Sequence, residues 1–508
     1  MSTRSDAAEE VVVIGSGLGG LCAGAMLAQY GKKVLILEAH YEAGGVAHGF
    51  TKDGYKFDTG PSFYCGLTDR GSLNPLKMVL DSVGEQVPSV AYDEFQFHFP
   101  GETLSIYDNN RRYAQAVRSI SPKGAAQLER FTNRMVQMYD ALKKIPTIAL
   151  TANPWAFPKL FLLNGLAFAG LAPFASSLQA PVSKILDEEG VTDAFVRRLI
   201  DIECFLLSGL KADGTITAEV AFMVGERDKS IMEYPIGGAT AIVDALVRGI
   251  EKHGGEVRLR SRVKDINVSR GRVTGVTTAD GKVVSAGTVI SNATVWDTFS
   301  KLLPEGAVPR SYKSRQLATP PVESFMHLHV GFSSSGLDDL IGHHVVSFEC
   351  EDIAQPGKTC MISIPSVWDP ALAPEGQHLA HVYTLESSDG WKRDKGYKEK
   401  KKDKAAPLYA ALERVIPDLR DRINVDLIGT PLTHETFTRR YKGSYGPAIV
   451  AGKGMFPGPG TPVKGLYRVG DSVLPGIGVP AVAASGIICA NTLVDYRLTE
   501  SLMRKLYS

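Results

Sequence analysis

The residues Gly15-Ser16-Gly17-Leu18-Gly19-Gly20 carry the first chemistry legible in this chain. They follow the continuously apolar run Val11-Val12-Val13-Ile14, which reads as a strand covered on both faces, and they open an Ala- and Leu-rich helix through Gln29. In that setting Gly15 permits a tight turn, Gly17 lets the backbone approach a pyrophosphate, and Gly20 lets the helix pack close to the strand. The helix N-terminus offers free N–H groups and the positive end of its dipole to an anion. A second apolar strand ends in Glu38, about 20 residues after the glycines, where a carboxylate accepts both hydroxyls of an adenosine ribose and disfavours a 2′-phosphate. The implied chemistry is dinucleotide binding. A glycine-rich turn alone explains the motif, but not the strand, helix, second strand and acid in register.

The motif by itself does not separate FAD from NAD; its continuation does. Glu38-Ala39 leads to the doublet Gly44-Gly45, followed by Val46-Ala47 and then by Phe57-Asp58-Thr59-Gly60-Pro61-Ser62. A doublet at this distance lets a second loop pass against the pyrophosphate and flavin side, a use the nicotinamide fingerprint does not require. Near the other end, Gly465 to Ser472 reads as a short strand ending in Gly470-Asp471. Then Pro475-Gly476-Ile477-Gly478-Val479-Pro480 leads into a small-residue helix from Ala481. That second glycine-led helix N-terminus is aimed at a polar ligand, although a tightly packed helix is the plainer reading of the run taken alone.

Other candidates are weaker. His327 and His329 alternate on one strand and share a face, where they can exchange a proton with a ligand; hydrogen-bonded structural histidines are the commoner case. Glu219, embedded in an apolar stretch, is a candidate acid or a structural partner. There is no nucleophile elbow, HExxH or carboxylate pair at helical spacing. Cys22, Cys65, Cys204, Cys350, Cys360 and Cys489 lack metal-ligand spacing, so no metal is expected and they read as buried thiols in a reducing compartment.

Positioning these groups takes a large molecule. The chain has 508 residues, 44% hydrophobic, enough for two or three domains. A net charge of +1 argues against a nucleic-acid partner held by phosphate neutralisation. The first ten residues are mostly polar and leave no room for a signal peptide or amphipathic presequence before the first strand. Residues 91–229 read as mostly helical, with 125–144 a clear periodic segment. Between Lys159 and Lys184 there is no charge, and residues 160–171 are strongly apolar, but Asn164, Pro173, Ser176-Ser177 and Pro181 spoil a transmembrane helix. The stretch reads as membrane-dipping or tunnel-lining, with a buried helix pair as the alternative. The seven lysines in 392–404 read as a solvated helical face rather than an anionic-lipid site.

Taken together the three glycine-bearing pieces resemble the phytoene desaturase and FAD-dependent amine oxidase superfamily over nearly the whole chain. The stretches 204–215 and 218–223, Tyr234-Pro235-Ile236-Gly237-Gly238-Ala239 with 242–249, and His343-His344-Val345-Val346 resemble its carotenoid isomerase branch, whose members are prolycopene isomerase-like. The resemblance implies an α/β (α+β) chain with the two-domain FAD-binding fold of the glutathione-reductase/amine-oxidase type, a Rossmann-like βαβ unit and an interleaved substrate domain. Residues 1–90, 230–300 and 440–508 would build the FAD domain, and 91–229 and 301–439 the substrate domain, with a membrane-associating segment near 154–182. It assigns Gly15, Gly17, Gly20 and Glu38 to the ADP half, Asp471 to ribityl or pyrophosphate, and Gly478, Val479 and Ala481 to the isoalloxazine. Val263 would touch the adenine through its backbone, and Asn292-Ala293 returns to the nucleotide. Ser16, Leu18, Gly19, Ala39, Gly44, Gly45, Val46, Ala47, Gly60, Pro61, Ser62 and Gly470 complete the expected cofactor site. Two departures matter. Amine oxidases and many desaturases carry an arginine where Val46 stands, which moves the expectation away from amine oxidation. The run around Pro480 and Ala484 is also less bulky than in prolycopene isomerases, which implies a paralogue with its own substrate.

The implied activity is cis-trans isomerisation of a carotenoid polyene without net redox change. Alternatives are hydration or rearrangement of an acetylenic or allenic xanthophyll, or a carotenoid or retinoid desaturase or saturase with a quinone or other electron partner. A flavin-binding carotenoid escort protein without turnover is the non-enzyme alternative. A lipid-dissolved substrate implies peripheral membrane contact, in a plastid if the organism is photosynthetic and otherwise on the cytoplasmic membrane face.

Overall fold

The computed structural model describes residues 9–69, 72–349 and 352–507; Cys350 and residues 1–8 lie outside them. Two seven-stranded sheets organise the chain. The first runs Glu256–Arg258, Val34–Leu37, Glu9–Ile14, Val283–Ser291, Arg272–Thr278, Val263–Ser269, with Leu466–Arg468 also paired to Val283–Ser291. Val34–Leu37 is buried at every position, as its unbroken apolar sequence requires of a central parallel strand. Val283–Ser291 is long enough for several partners. Its first residues pair antiparallel with Arg272–Thr278, and its later ones run parallel to Glu9–Ile14 and Leu466–Arg468. Because five of these strands run parallel, the loops leaving four of them, after Ile14, Leu37, Ser291 and Arg468, emerge at one sheet edge, and that shared edge is where the site forms.

Helices Leu18–Gln29, Pro75–Val83, Gly238–Lys252 and Val479–Leu493 bury their apolar residues on one face of this sheet. The other face is covered by Val295, Trp296, Phe299, Leu303 and Val308. Leu303 and Val308 thus pack on the first sheet, beyond the expected boundary at residue 300. Ile148, inside the expected substrate segment, also packs with the helices of the first sheet.

The second sheet runs Ile423–Gly429, Ser324–Ser333, Gln377–Glu386, Thr359–Ser363, His343–Ser347, Glu94–Phe99, Glu102–Tyr107. His343–Ser347 pairs in parallel with Glu94–Phe99, which joins the 91–229 and 301–439 segments in one sheet. Helices from the 110–229 region bury one face, and helix Tyr397–Val415 the other. The expected helix over 125–144 spans Pro122–Leu142, because Ser121 caps the Gly124 N–H at 3.1 Å and proline fits the first helical position. In Tyr397–Val415 the buried residues are Ala405, Leu408, Tyr409, Ala411 and Leu412, while Lys398, Lys402 and Lys404 face solvent. Residues 154–178 form two helical pieces meeting at 94°, and among the described residues no single helix is long and apolar enough to cross a membrane.

Candidate functional site

One cavity of about 980 Å³ runs from the parallel sheet edge into the space between the two sheets. That volume is at the upper end of the ~300–1,000 Å³ usual for small-molecule pockets, as an extended ligand needs. Its end at the sheet edge is built by the four converging loops. Gly44 N–H donates to Ser16 O at 3.1 Å, and Gly17 and Gly44 form an isolated parallel bridge, so the doublet loop lies directly on the glycine turn. A Cβ on Gly19 would fall 2.7 Å from Gly470 N, which brings the third glycine-bearing stretch to the same place. Asn292 enters through its backbone N–H, which donates to Ile14 O at 2.9 Å.

Two helices present uncapped N-termini to this end. Leu18–Gln29 starts after Gly17 and Val479–Leu493 after Gly478, and neither has a side-chain cap. Gly17, Leu18, Gly19, Gly478 and Val479 all line the cavity. Free N–H groups and dipoles from two directions suit a diphosphate and an electron-rich ring edge, the donor set that FAD requires. Glu38 is buried, and its Oε2 accepts from Ser16 N (2.8 Å) and Ser16 Oγ (2.7 Å), while Oε1 accepts from His40 N (2.7 Å). A carboxylate offers about four acceptor positions. Ser16 and His40 take three, which leaves one acceptor position of Glu38 free, where two hydroxyls of an adenosine ribose are expected from sequence.

Gly15, Ala39, Gly45, Val46, Ala47, Gly60, Pro61, Val263, Ala293, Gly470 and Asp471 also line this cavity, with Arg262, Lys264 and Asp265 beside Val263. Asp471 is ion-paired to Arg440, a partner with no sequence signal, and accepts from Ser472 Oγ at 3.1 Å. Ser16, Gly20, Ser62 and Ala481 are not on the lining. Ser16 is turned to Glu38 and Gly20 is packed in the helix, where a Cβ would meet Gly15 O. Ser62 is buried, and Ala481 sits in the first helical turn after the lining residue Val479.

The other end of the cavity is apolar and aromatic: Phe205, Leu206, Phe325, Met361, Tyr383, Leu385, Tyr445 and Ile477 line it. His327 enters here from strand Ser324–Ser333, together with His381 and His434, neither of which the sequence singled out. His327 Nδ1 is 3.0 Å from His381 Nε2, and His327 Nε2 is 3.2 Å from His434 Nδ1. Burial holds the pKa of His327 and His381 well below the ordinary imidazole value and lowers His434 to about 3, with neighbouring imidazoles and Arg440 adding to the shift. The signal for His381 was alternation along 377–386, which puts it opposite His329 across the ladder. His434 follows Thr430-Pro431, a capped helix start.

His329 shares the strand face of His327 but not the cavity. It lies under the hairpin Gly49–Lys52 and Tyr55–Asp58, with Nε2 3.0 Å from Asp58 O and its ring between Phe50, Phe57 and His381. Glu219 is also off the main cavity. It borders a separate recess with Ser208, Thr215 and Phe456, and burial pushes its carboxyl up to about 7. Among the described residues no group of His, Cys, Asp and Glu has the arrangement of a metal site.

The chain matches the family described as flavin containing amine oxidoreductase over residues 18–494. It is 32% identical over 494 residues to a chloroplastic prolycopene isomerase of Daucus carota, covering 95% of this chain and 79% of that protein. A neurosporene-forming phytoene desaturase of Rhodobacter capsulatus is 28% identical over 530 residues, covering 97% and 96% of the two chains. An oxidoreductase structure from Methanosarcina mazei has the same fold, with a TM-score of 0.64 at 20% identity over 94% of this chain and 98% of that one.

Proposed function

Because the chain belongs to the flavin-containing amine oxidoreductase family and is an FAD-dependent enzyme, we propose that it catalyses redox-neutral cis-trans isomerisation of a carotenoid polyene. The observation that carries this reading is the continuity of one cavity from a glycine-lined, doubly helix-capped end to an aromatic and aliphatic end. A dinucleotide in the first part and a polyene in the second would share a boundary at Gly478-Val479, and the prolycopene isomerase of Daucus carota is a relative over nearly the full chain.

Bound FAD would supply transient electron exchange with the conjugated chain, which would lower double-bond order at one position. This chain's residues do the rest. Gly17, Gly19, Gly44 and Gly45 with the N-terminus of Leu18–Gln29 bind the diphosphate, and Glu38 accepts from the ribose. Phe205, Leu206, Phe325, Leu385 and Ile477 orient the polyene and exclude water, each Å² of buried apolar surface being worth about 25 cal/mol. Gly478 and Val479, at the uncapped N-terminus of Val479–Leu493, would hold the ring end of the cofactor and stabilise negative charge there. A redox-neutral cycle would need an electron partner, a quinone or another, only to reduce bound FAD at the outset.

We further propose peripheral membrane attachment through the bent 154–178 segment. Trp155, Leu162 and Leu166 are 89%, 82% and 92% exposed, with Phe161 beside them, an apolar surface suited to the interface of a bilayer in which the substrate dissolves. The site would be a plastid membrane in a photosynthetic organism and the cytoplasmic membrane face elsewhere.

The test is anaerobic incubation of reduced, FAD-loaded protein with poly-cis and all-trans carotenoids in liposomes, followed by chromatography and mass measurement. A shifted isomer at unchanged mass is the expected result. Added water would replace the reading by hydration, a changed hydrogen count by desaturation or saturation, and stoichiometric binding without conversion by an escort role.

A further inference from the structure

The apolar end of the cavity is walled mostly by regular structure. Phe325, Met361, Tyr383 and Leu385 stand on three adjacent strands of the second sheet, and Phe205 and Leu206 on helix Ala194–Ser208. Opening any of these walls would break a backbone hydrogen-bond ladder. Tyr445 and Ile477 stand on irregular chain instead. The Ile477 side chain lines the cavity and also the smaller recess bordered by Ile216, Glu219, Pro447, Ile449 and Phe456. Phe456 borders that recess but not the cavity. A dinucleotide in the glycine-lined end would leave a long apolar ligand to reach the other end by its own route, and the irregular wall at Ile477 is where one can form.

Phe456 and Ile477 are both buried, and each rests on a glycine of irregular chain. A Cβ on Gly476 would fall 2.7 Å from the Phe456 ring, and one on Gly446 2.7 Å from Ile477 Cδ1. Next to Phe456 the chain reaches the surface: Met455 is 72% exposed, and Leu474, three residues before Ile477, is 46% exposed. Leu474 N–H donates to Pro457 O at 2.8 Å, which holds the 449–460 and 473–477 loops side by side. A Cβ on Gly458 would lie 4.0 Å from Ala152 Cβ, so these loops flank the segment that carries Trp155, Phe161, Leu162 and Leu166. Three stretches of chain thus bring large exposed apolar side chains near one another, unlike the scattered single ones of an ordinary surface. Within the recess, Ser208 Oγ and Thr215 Oγ1 bond each other at 2.7 Å, and of the lining residues only Glu219 is ionisable.

We propose that the 449–460 and 473–477 loops form a lipid-facing portal through which an apolar ligand passes from the bilayer to the cavity, with Phe456 as its outer gate and Ile477 as its inner one. The portal rests on the membrane attachment and polyene reading above, and it adds Met455 and Leu474 as a second membrane contact beside the 154–166 segment. A bilayer is the occupant that fits this face. Met455 and Leu474 offer apolar side chains to the hydrocarbon, and Lys453, exposed between Gly452 and Gly454, keeps its ammonium at the level of the headgroups. Displacing two side chains and a glycine-rich loop breaks no strand or helix. A polyene taken up this way passes from hydrocarbon to apolar cavity without exposing its surface to water.

The test uses FAD-loaded protein on phosphatidylcholine liposomes and two photoreactive probes, read by peptide mass spectrometry. A phospholipid with a diazirine in its acyl chain should mark the 154–166 segment and also Met455 or Leu474. Marks on 154–166 alone overturn the portal and leave the attachment reading in place, and marks on neither overturn both. A small aryl diazirine dissolved in the same bilayer should reach Phe325 and Leu385 inside the cavity. Phe456→Trp, which thickens the gate, should lower that inner marking about tenfold relative to Met455, and Phe456→Ala should raise it, both at wild-type flavin content. Equal inner marking in wild type and in both variants overturns the gate, and should one variant lose its flavin the other decides. If no carotenoid is converted, the isomerase reading fails while the distribution of marks still decides the portal.

Discussion

A Cβ on Gly45 would fall 2.9 Å from the Cα of Gly17, so the doublet loop crosses the glycine turn at backbone contact. Gly45 also holds a φ of +60°, which a branched side chain rarely adopts. Gly45→Val should therefore yield a protein that purifies colourless or with flavin content reduced about tenfold or more. Visible absorbance after gel filtration measures this, and wild-type flavin content in a folded variant would show that the crossing does not cradle the cofactor.

Glu38 clamps Ser16 and His40 while keeping one acceptor position free. Hydrogen bonds to charged groups contribute about 1.5–3 kcal/mol. Glu38→Gln should weaken FAD binding roughly 10- to 100-fold in a titration of apoprotein followed by flavin fluorescence. Unchanged affinity would remove Glu38 from the ribose site.

His98, His329, His343, His344 and His434 are buried with pKa values lowered to about 4, 4, 3, 3 and 3, and His327 and His381 are lowered further by burial. The unfolded chain takes up protons on these rings near pH 6.5, where the folded chain does not. Stability from this source is complete above about pH 6.5 and is lost as pH falls toward about 4, by up to ~1.4 kcal/mol per pH unit for each ring. Asp58 and Glu219, raised by burial to about 6 and about 7, work in the opposite direction, as do Asp201, Glu226 and Asp244, which burial also raises. Urea midpoints between about pH 7 and about pH 4.5 should fall steeply; a flat profile would mean that these rings are hydrated or already protonated.

Glu219 has the opposite sign. Its folded pKa of about 7 lies above the ordinary carboxyl value of 4.5, so its contribution to stability is lost as pH rises through that window. Glu219→Gln should remove this slope and be more stable than wild type at about pH 8, by on the order of 2–3 kcal/mol. Chemical denaturation of both proteins at two pH values checks it. If Glu219→Gln instead abolishes turnover with the fold intact, the carboxyl belongs to the chemistry.

Leu162 and Leu166 are among the most exposed apolar side chains of the chain. Burying a leucine is worth about 1.5–3 kcal/mol. Replacing both with glutamate should lower co-sedimentation with liposomes by tenfold or more while leaving flavin content unchanged. Equal sedimentation would place the membrane contact elsewhere or nowhere.

That the glycine-bearing stretches meet at one end of a cavity was legible before any coordinates because their signals are local. Gly15 to Gly20 follow one short apolar strand, Glu38 ends the next, the doublet at Gly44 and the run at Gly478 are glycine-led turns, and Asn292 came with the family resemblance; parallel strands bring such strand ends to one edge. His329 was misplaced for an equally specific reason. Alternation gives the face of a strand but not which stretch of that face a neighbouring hairpin covers, and Asp58 O takes the His329 ring. The packing of Leu303, Val308 and Ile148 on the nucleotide side was hidden in the same way, since a core residue does not declare which core it joins.

The amino-acid order alone determined the dinucleotide class, the acid at Glu38 and the family resemblance, because turn chemistry and hydrophobic period act over a few neighbouring residues. Only the tertiary structure decided that His327, His381 and His434 touch, that Asp471 is held by Arg440, and that Glu38 keeps one free acceptor position. Those relations depend on strand register and on how residual lone pairs are shared among distant groups, quantities that no local segment of chain contains.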